Sequence, residues 1–113
     1  MIFRKQQQGS KSTRFELAEP FTFTHIDGST VTIPAGYASD FASVPRILWT
    51  IIPPHGRSAE ASVIHDYLYD NRIGSRLDAD LIFFRDIHPV VASWQSMIMF
   101  LSVRIFAQKW WDR

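Results

Sequence analysis

A histidine, a tyrosine and an aspartate in the second half of the sequence stand at spacings that could bring them together. His65 and Tyr69 are four residues apart, so on a helix they lie on one side. Asp80 falls within the apolar stripe expected for the next helix, where an unpaired carboxylate costs several kcal/mol. We therefore expect His65 and Tyr69 to be the partners of Asp80.

These three residue types are those of a general-base site. A carboxylate against one ring nitrogen of a histidine fixes the tautomer and raises the basicity of the other nitrogen, which can then take a proton from water. In that role His65 is the base, Asp80 orients it, and Tyr69 completes the site. A buried trio of this kind can also do no more than tie two helices together, and the sequence leaves both interpretations open.

Two further aspartates are candidate metal ligands. Asp66 lies about 100° around the helix from His65, from where it could reach a metal ion at the mouth of the same cleft. Asp40, in the loop 36–43, could supply a second oxygen. Oxygen ligands suit calcium or magnesium, and His65 as an added ligand would suit zinc or manganese. Asp40 could instead form a cap and an ion pair with its neighbours Ser43 and Arg46.

The elements that must position these residues are helices. Start signals at Ser43, Ser58 and Ser75, and breaks at the prolines, predict three helices and a long fourth one. The expected spans run from about Ser43 to Pro53, from Ser58 to Asp70, from Ser75 to before Pro89, and from there to near Trp111. The short connection 71–75 makes the second and third helices antiparallel neighbours.

The apolar residues of these helices give predicted buried faces. On the third helix the buried stripe is expected at Leu77, Leu81, Phe84 and His88. The apolar stretch 90–107 is expected to be a core helix, with membrane contact as the alternative, because polar residues interrupt it. The four tryptophans are expected to serve in packing: Trp49, Trp94, Trp110 and Trp111.

The first half of the chain has the alternation of β-strands. Three short strands are expected around Phe15–Leu17, Phe21–Ile26 and Thr30–Ile33, and the turn-forming Asp27-Gly28-Ser29 should close a hairpin between the last two. Residues 1–13 are expected to be a flexible polar arm, and 14–113 a single domain. The sequence thus predicts an α+β fold, with a small N-terminal antiparallel sheet packed on a C-terminal bundle of three to four helices.

Composition limits the partners. A chain of 113 residues with 46% apolar content can bury one core, and the absence of cysteine excludes disulfides and thiolate metal sites. The net charge of +1, without a run of like charges, makes nucleic acid an unexpected partner. No apolar segment of a signal peptide follows the basic residues at the N-terminus.

Four ordered segments resemble a bacteriophage and prophage family, domain of unknown function 1353. They are SDFASVPR at 39–46, PHGR at 54–57, ASVIHDYLY at 61–69 and SRLDADLIF at 75–83. The resemblance extends from about Thr30 to Trp111 and implies a phage origin more than a particular chemistry. It favours a virion-associated structural or assembly protein of the tail, neck or baseplate, with other virion proteins as partners, located in the virion or the infected host cytoplasm.

A shorter resemblance runs to the phospholipases of the A-two class. These have a His-Asp pair with a tyrosine four residues after the histidine, facing an Ala-Asp on the next helix; here the positions are His65-Asp66, Tyr69 and Ala79-Asp80. This resemblance implies hydrolysis of a lipid or other envelope ester, with His65 as base, Asp66 as a calcium ligand and Asp80 as orienter. A metal-dependent phosphohydrolase is a third hypothesis, for which the chain has one His-Asp doublet.

Overall fold

The computed structural model of the protein describes residues 3–8, 12–39 and 57–112. The chain divides into two compact units, residues 1–40 and 41–113, a boundary that falls inside the region we expected to form one domain. The first unit holds strands and the second holds helices, which confirms the α+β class. The strands are β1 (Phe3–Gln8), β2 (Ser12–Leu17), β3 (Phe21–Thr24), β4 (Thr30–Ile33) and β5 (Ala38–Ser39). The helices are α1 (Arg57–Asn71), α2 (Arg76–Ile87), α3 (Ser93–Phe106) and α4 (Gln108–Asp112).

The predicted hairpin is confirmed in the first unit. β3 and β4 pair antiparallel, with Phe21 opposite Ile33 at the open end. Gly28 has a φ of 90° in the turn, a conformation that glycine adopts without steric cost, and the Asp27 side chain accepts a hydrogen bond from the Ser29 backbone N–H at 2.9 Å. Turn chemistry and alternation therefore sufficed to predict this element.

A second sheet includes strands that we did not predict. Its order is β1-β2-β5, and both pairings are antiparallel. The segment expected to be a flexible arm thus contains β1, paired with β2 from Phe3 opposite Leu17 to Gln8 opposite Ser12. Strand pairing is made by backbone groups, so the polar run in β1 can form a ladder without the apolar alternation used for the prediction.

The helices of the second unit begin largely where the sequence placed them. α1 spans 57–71 against an expected 58–70. The Ser75 hydroxyl accepts a hydrogen bond from the Asp78 N–H at 3.0 Å, which confirms the predicted cap of α2. Between the two helices Arg72 has a φ of 46°, in the left-handed region where a helix commonly terminates. The helix expected at Ser43–Pro53 lies outside the described residues, and so does Trp49.

Two expectations about the helices were wrong. On α2 the buried residues are Ala79, Asp80, Ile82, Phe83 and Ile87. Leu77, Leu81 and His88 are exposed instead, because the face that buries Asp80 is the one that includes Phe83 and Ile87 at helical spacing.

The long fourth helix is also interrupted, since α3 ends at Phe106 and α4 starts at Gln108. Near this break the Arg76 guanidinium donates hydrogen bonds to the carbonyls of Val103 and Arg104, and the Val103 carbonyl also accepts a hydrogen bond from the Ala107 N–H at 3.2 Å.

α3 has two different apolar faces. Ser96, Met99 and Val103 are buried, whereas Trp94 on another side of the helix is 60% exposed, so the packing role expected for this tryptophan was wrong. The expectation of a core helix therefore holds for one face only. Among the described residues, no helix is long and apolar enough to cross a membrane.

Candidate functional site

α1 carries His65 and Tyr69 into the interior of the helical unit. Their side chains are 0% and 1% exposed, and Ile64 and Leu68 are buried beside them. The His65 and Tyr69 rings lie 4.3 Å apart between centroids, and the Phe83 ring lies 5.1 Å from His65. The four-residue spacing has therefore brought the histidine and the tyrosine to one side of the helix, as the sequence predicted.

Asp80 on α2 meets both residues through one carboxylate oxygen. Its Oδ1 lies 2.7 Å from His65 Nε2 and accepts a hydrogen bond from the Tyr69 hydroxyl at 2.6 Å. Asp80 itself has no exposed surface. The predicted contact of these three residues is confirmed, and it follows from the need of a buried carboxylate for partners.

The other oxygen of Asp80 is occupied by a residue that the sequence analysis missed. Arg104 on α3 donates a hydrogen bond from Nη1 to Asp80 Oδ2 at 2.9 Å, and its side chain is one-third exposed. The signal was present, because Arg104 interrupts an apolar stretch, and a cation within such a stretch needs a carboxylate partner. Spacing could not connect it to Asp80, since the two residues are 24 apart.

Arg76 holds the part of α3 from which Arg104 projects. Its guanidinium donates to the Val103 carbonyl at 2.9 Å and to the Arg104 carbonyl. Because Arg76 is in the first turn of α2 and Asp80 one turn later, the two contacts fasten the end of α3 to α2 beside the carboxylate. Arg104 is thus positioned at its backbone as well as at its guanidinium.

The electrostatics of the site stabilise a charged Asp80 and a neutral Tyr69. Burial alone would raise the pKa of Asp80, but the hydrogen bonds that its carboxylate accepts from His65, Tyr69 and Arg104 lower this pKa below its usual value. Burial raises the pKa of Tyr69 well above its usual value, and the hydrogen bond to the Asp80 carboxylate raises it further. Tyr69 is therefore a hydrogen-bond donor at neutral pH.

The tautomer of His65 follows from this ionisation. An ionised carboxylate only accepts hydrogen bonds, so the Nε2 facing Asp80 must carry a proton. In the neutral ring Nδ1 is then the unprotonated nitrogen. The arrangement can orient an imidazole and stabilise the imidazolium that would form if Nδ1 took a proton.

Of the two predicted metal ligands, only Asp66 lies within the described part of the chain. Asp66 is buried, rather than at the open mouth of a cleft as expected, and it has a polar partner within the protein. Asp40 lies outside the described residues. Within those residues no group of three or more His, Asp or Glu side chains could hold a metal ion.

The sequence profile of the family described as "Protein of unknown function (DUF1353)" matches residues 15–103. The chain belongs to this family. An uncharacterized protein, y4jT, from Sinorhizobium fredii (strain NBRC 101917 / NGR234) is 31% identical over 99 residues, which are 85% of this chain. The matched segment covers 30% of the length of that relative, so this chain spans less than a third of the relative's length. No solved structure matches the chain. The site residues His65, Tyr69 and Asp80 all lie within the part matched by the family profile.

Proposed function

We propose that this chain is a hydrolase of the His-Asp type, acting on a lipid or other envelope ester, with His65 as the general base. The observation that carries the proposal is the shared oxygen of Asp80, which lies 2.7 Å from His65 Nε2 and 2.6 Å from the Tyr69 hydroxyl. This contact fixes the ring and directs basicity to Nδ1.

The proposed reaction uses His65 twice. First, Nδ1 takes a proton from a water molecule as the water oxygen attacks the ester carbonyl carbon, giving a tetrahedral oxyanion and an imidazolium stabilised by Asp80. The bond between that carbon and the alcohol oxygen then breaks, and the Nδ1 proton passes to the leaving alcohol. The products are a carboxylic acid and an alcohol, and His65 is neutral again.

Access is the main physical requirement of this proposal. The His65 side chain has no exposed surface, so water and ester can reach Nδ1 only when the chain around the site opens. Local opening of this kind occurs in many proteins at less cost than global unfolding. The proposal therefore predicts hydrolysis that depends on His65 and on conditions that favour opening, such as contact with a lipid aggregate.

The test is ester hydrolysis by the purified full chain. Vesicles of phosphatidylglycerol and phosphatidylethanolamine, and a soluble p-nitrophenyl ester, serve as substrates, each with added calcium and with chelator. The variants are His65→Gln and Asp80→Asn, and His88→Gln is the matched control, because His88 is an exposed histidine of the same unit. Circular dichroism sets a temperature at which every variant is folded.

The expected result is release of fatty acid or nitrophenol that falls at least about 100-fold in His65→Gln, in line with removal of a general base. The Asp80→Asn variant should also lose activity while it is folded, whereas His88→Gln should keep it. Hydrolysis absent from the folded parent with every substrate, or equal in the parent and His65→Gln, would contradict the proposal. Variants that only unfold at lower temperature would assign the trio to stability.

The second candidate function is a virion-associated structural or assembly protein, and the exposed face of α3 favours it. Trp94, Leu101 and Ile105 are each at least half exposed, although they are large apolar residues. Contiguous apolar surface of this kind is typical of sites that bind another protein. In this role the Asp80 contacts would keep the helical unit rigid, and the partners would be other virion proteins. Antibody detection of the chain in purified particles tests it, and absence from those particles would contradict it.

A further inference from the structure

The exposed apolar residues of α3 form a regular line, here called the outer stripe. Each member is three or four residues from at least one other member, so they lie on one side of the helix, and each is at least 38% exposed. The outer stripe consists of Trp94, Met97, Ile98, Leu101 and Ile105. Since Ser96, Met99 and Val103 form the buried side, α3 has apolar residues on two faces.

The outer stripe is a continuous line of exposed apolar residues. Single exposed apolar residues are common in proteins, but a contiguous patch of several hundred Å² usually marks an interface. α3 has 14 residues and is therefore about 21 Å long, and the outer stripe runs from Trp94 in its first turn to Ile105 in its last. This patch is the kind of apolar centre around which a protein interface forms.

We propose that a second copy of this chain covers the outer stripe, with the two α3 helices antiparallel across a two-fold axis. The axis would pass midway along α3, between Met99 and Phe100, which is also the centre of the helix span. This symmetry places Trp94 opposite Ile105 of the other copy and Ile98 opposite Leu101. These four large apolar residues thus meet in pairs across the axis, as an isologous interface requires, and Met97 lies opposite Ser102.

Charge favours an identical partner over an anionic lipid surface. The only charged residue of α3 is Arg104, which is paired with Asp80, so nothing in the outer stripe repels a second copy. A membrane-surface helix would instead be expected to have several basic residues along its flanks. A stable dimer buries about 800 Å² on each partner, of which the outer stripe would supply the apolar centre and its polar neighbours the rim.

The inference is independent of the hydrolase proposal, since the outer stripe does not include His65 or Asp80. It goes beyond the second candidate function, in which the same face would bind other virion proteins, because here the face binds a second copy of this chain. Dimerisation with no activity would leave this inference standing and remove the hydrolase. Ester hydrolysis by a strictly monomeric chain would remove this inference and leave the hydrolase proposal standing.

The first experiment measures oligomeric state by sedimentation velocity over a range of concentrations. The parent should be a dimer, and Leu101→Glu should be a monomer, because it places a carboxylate at the centre of the contact. The matched control is Ile26→Glu in the other unit, since Ile26 is 47% and Leu101 is 50% exposed. This control should remain dimeric.

The second experiment tests the register and does not depend on how well Leu101→Glu folds. The chain has no cysteine, so Trp94→Cys and Ile105→Cys each introduce a single thiol. On oxidation a mixture of the two variants should form a crosslinked heterodimer. Trp94→Cys alone should not crosslink, because its two copies would be roughly 16 Å apart along the antiparallel helices, beyond the reach of a disulfide.

Three results would overturn the inference. The first is a parent that is monomeric at all concentrations, including one that binds phosphatidylglycerol vesicles through the outer stripe. The second is a dimer that Leu101→Glu leaves intact while folded. The third is efficient crosslinking of Trp94→Cys with itself, which would require parallel helices. Preferential crosslinking of the mixture, with loss of the dimer in Leu101→Glu, would support it.

Discussion

Replacing Tyr69 by phenylalanine removes one hydrogen bond from the centre of the site and little else. The hydroxyl donates to Asp80 Oδ1 at 2.6 Å, and the ring packs against His65 and, edge-on, against Trp111. Phenylalanine keeps both ring contacts. A hydrogen bond to a charged group contributes roughly 1.5–3 kcal/mol, and Asp80 retains its other two partners, so we expect a loss of about 2 kcal/mol.

For a chain of this length that loss corresponds to a fall in the unfolding midpoint of roughly 6–12 °C. Circular dichroism at the helix band reports on the unit that contains α1 and α2. Tyr67→Phe is the matched control, because Tyr67 lies on the same helix and is only partly buried. Its midpoint should change by less than that of Tyr69→Phe.

The effect should also depend on pH in a defined direction. The pKa of Asp80 is lower in the folded protein than its usual value of 3.8, so its contacts stabilise the fold above pH 3.8 and are lost as pH falls through the folded pKa. The difference between the parent and Tyr69→Phe should therefore be full at neutral pH and shrink in strong acid. Equal midpoints for Tyr69→Phe and Tyr67→Phe at neutral pH would refute this account of Asp80.

Three further results are expected. Ser75→Ala should destabilise the helical unit by about 1 kcal/mol in urea unfolding, because the hydroxyl caps the Asp78 N–H; an unchanged midpoint would contradict this. Arg104→Gln should raise the pKa of Asp80, since a cation beside the carboxylate is lost; a titration of the Asp80 side-chain carbon by NMR that does not move would contradict the contact. At alkaline pH the parent should lose stability above about pH 10, because Tyr69 ionises in the unfolded chain while its raised pKa keeps it neutral in the folded one; Tyr69→Phe should remove this part of the slope.

The central contact could be predicted because it depends on two local facts. The four-residue spacing fixed His65 and Tyr69 on one side of α1, and the short connection to α2 brought Asp80 within their reach. The high cost of an unpaired buried carboxylate then selected the partners. The hairpin around Gly28 and the Ser75 cap were predictable for the same reason, since each depends on a few neighbouring residues.

The remaining features depend on contacts between residues distant in sequence. Arg104 reaches Asp80 from α3, and no spacing rule connects positions 24 apart. Leu77 and Leu81 were assigned to the buried face from hydrophobicity, but Asp80 and its neighbours occupy that face. β1 has little apolar alternation, and its strand is apparent only from its pairing with β2.

The most direct test of the central claim is the protonation pattern of the His65 ring, observed by nitrogen-proton correlation NMR at pH 7.5. We predict a proton on Nε2, because the ionised carboxylate only accepts hydrogen bonds and requires a donor there. A ring with its proton on Nδ1 and none on Nε2 would contradict the claim that Asp80 holds His65 ready to act as a base.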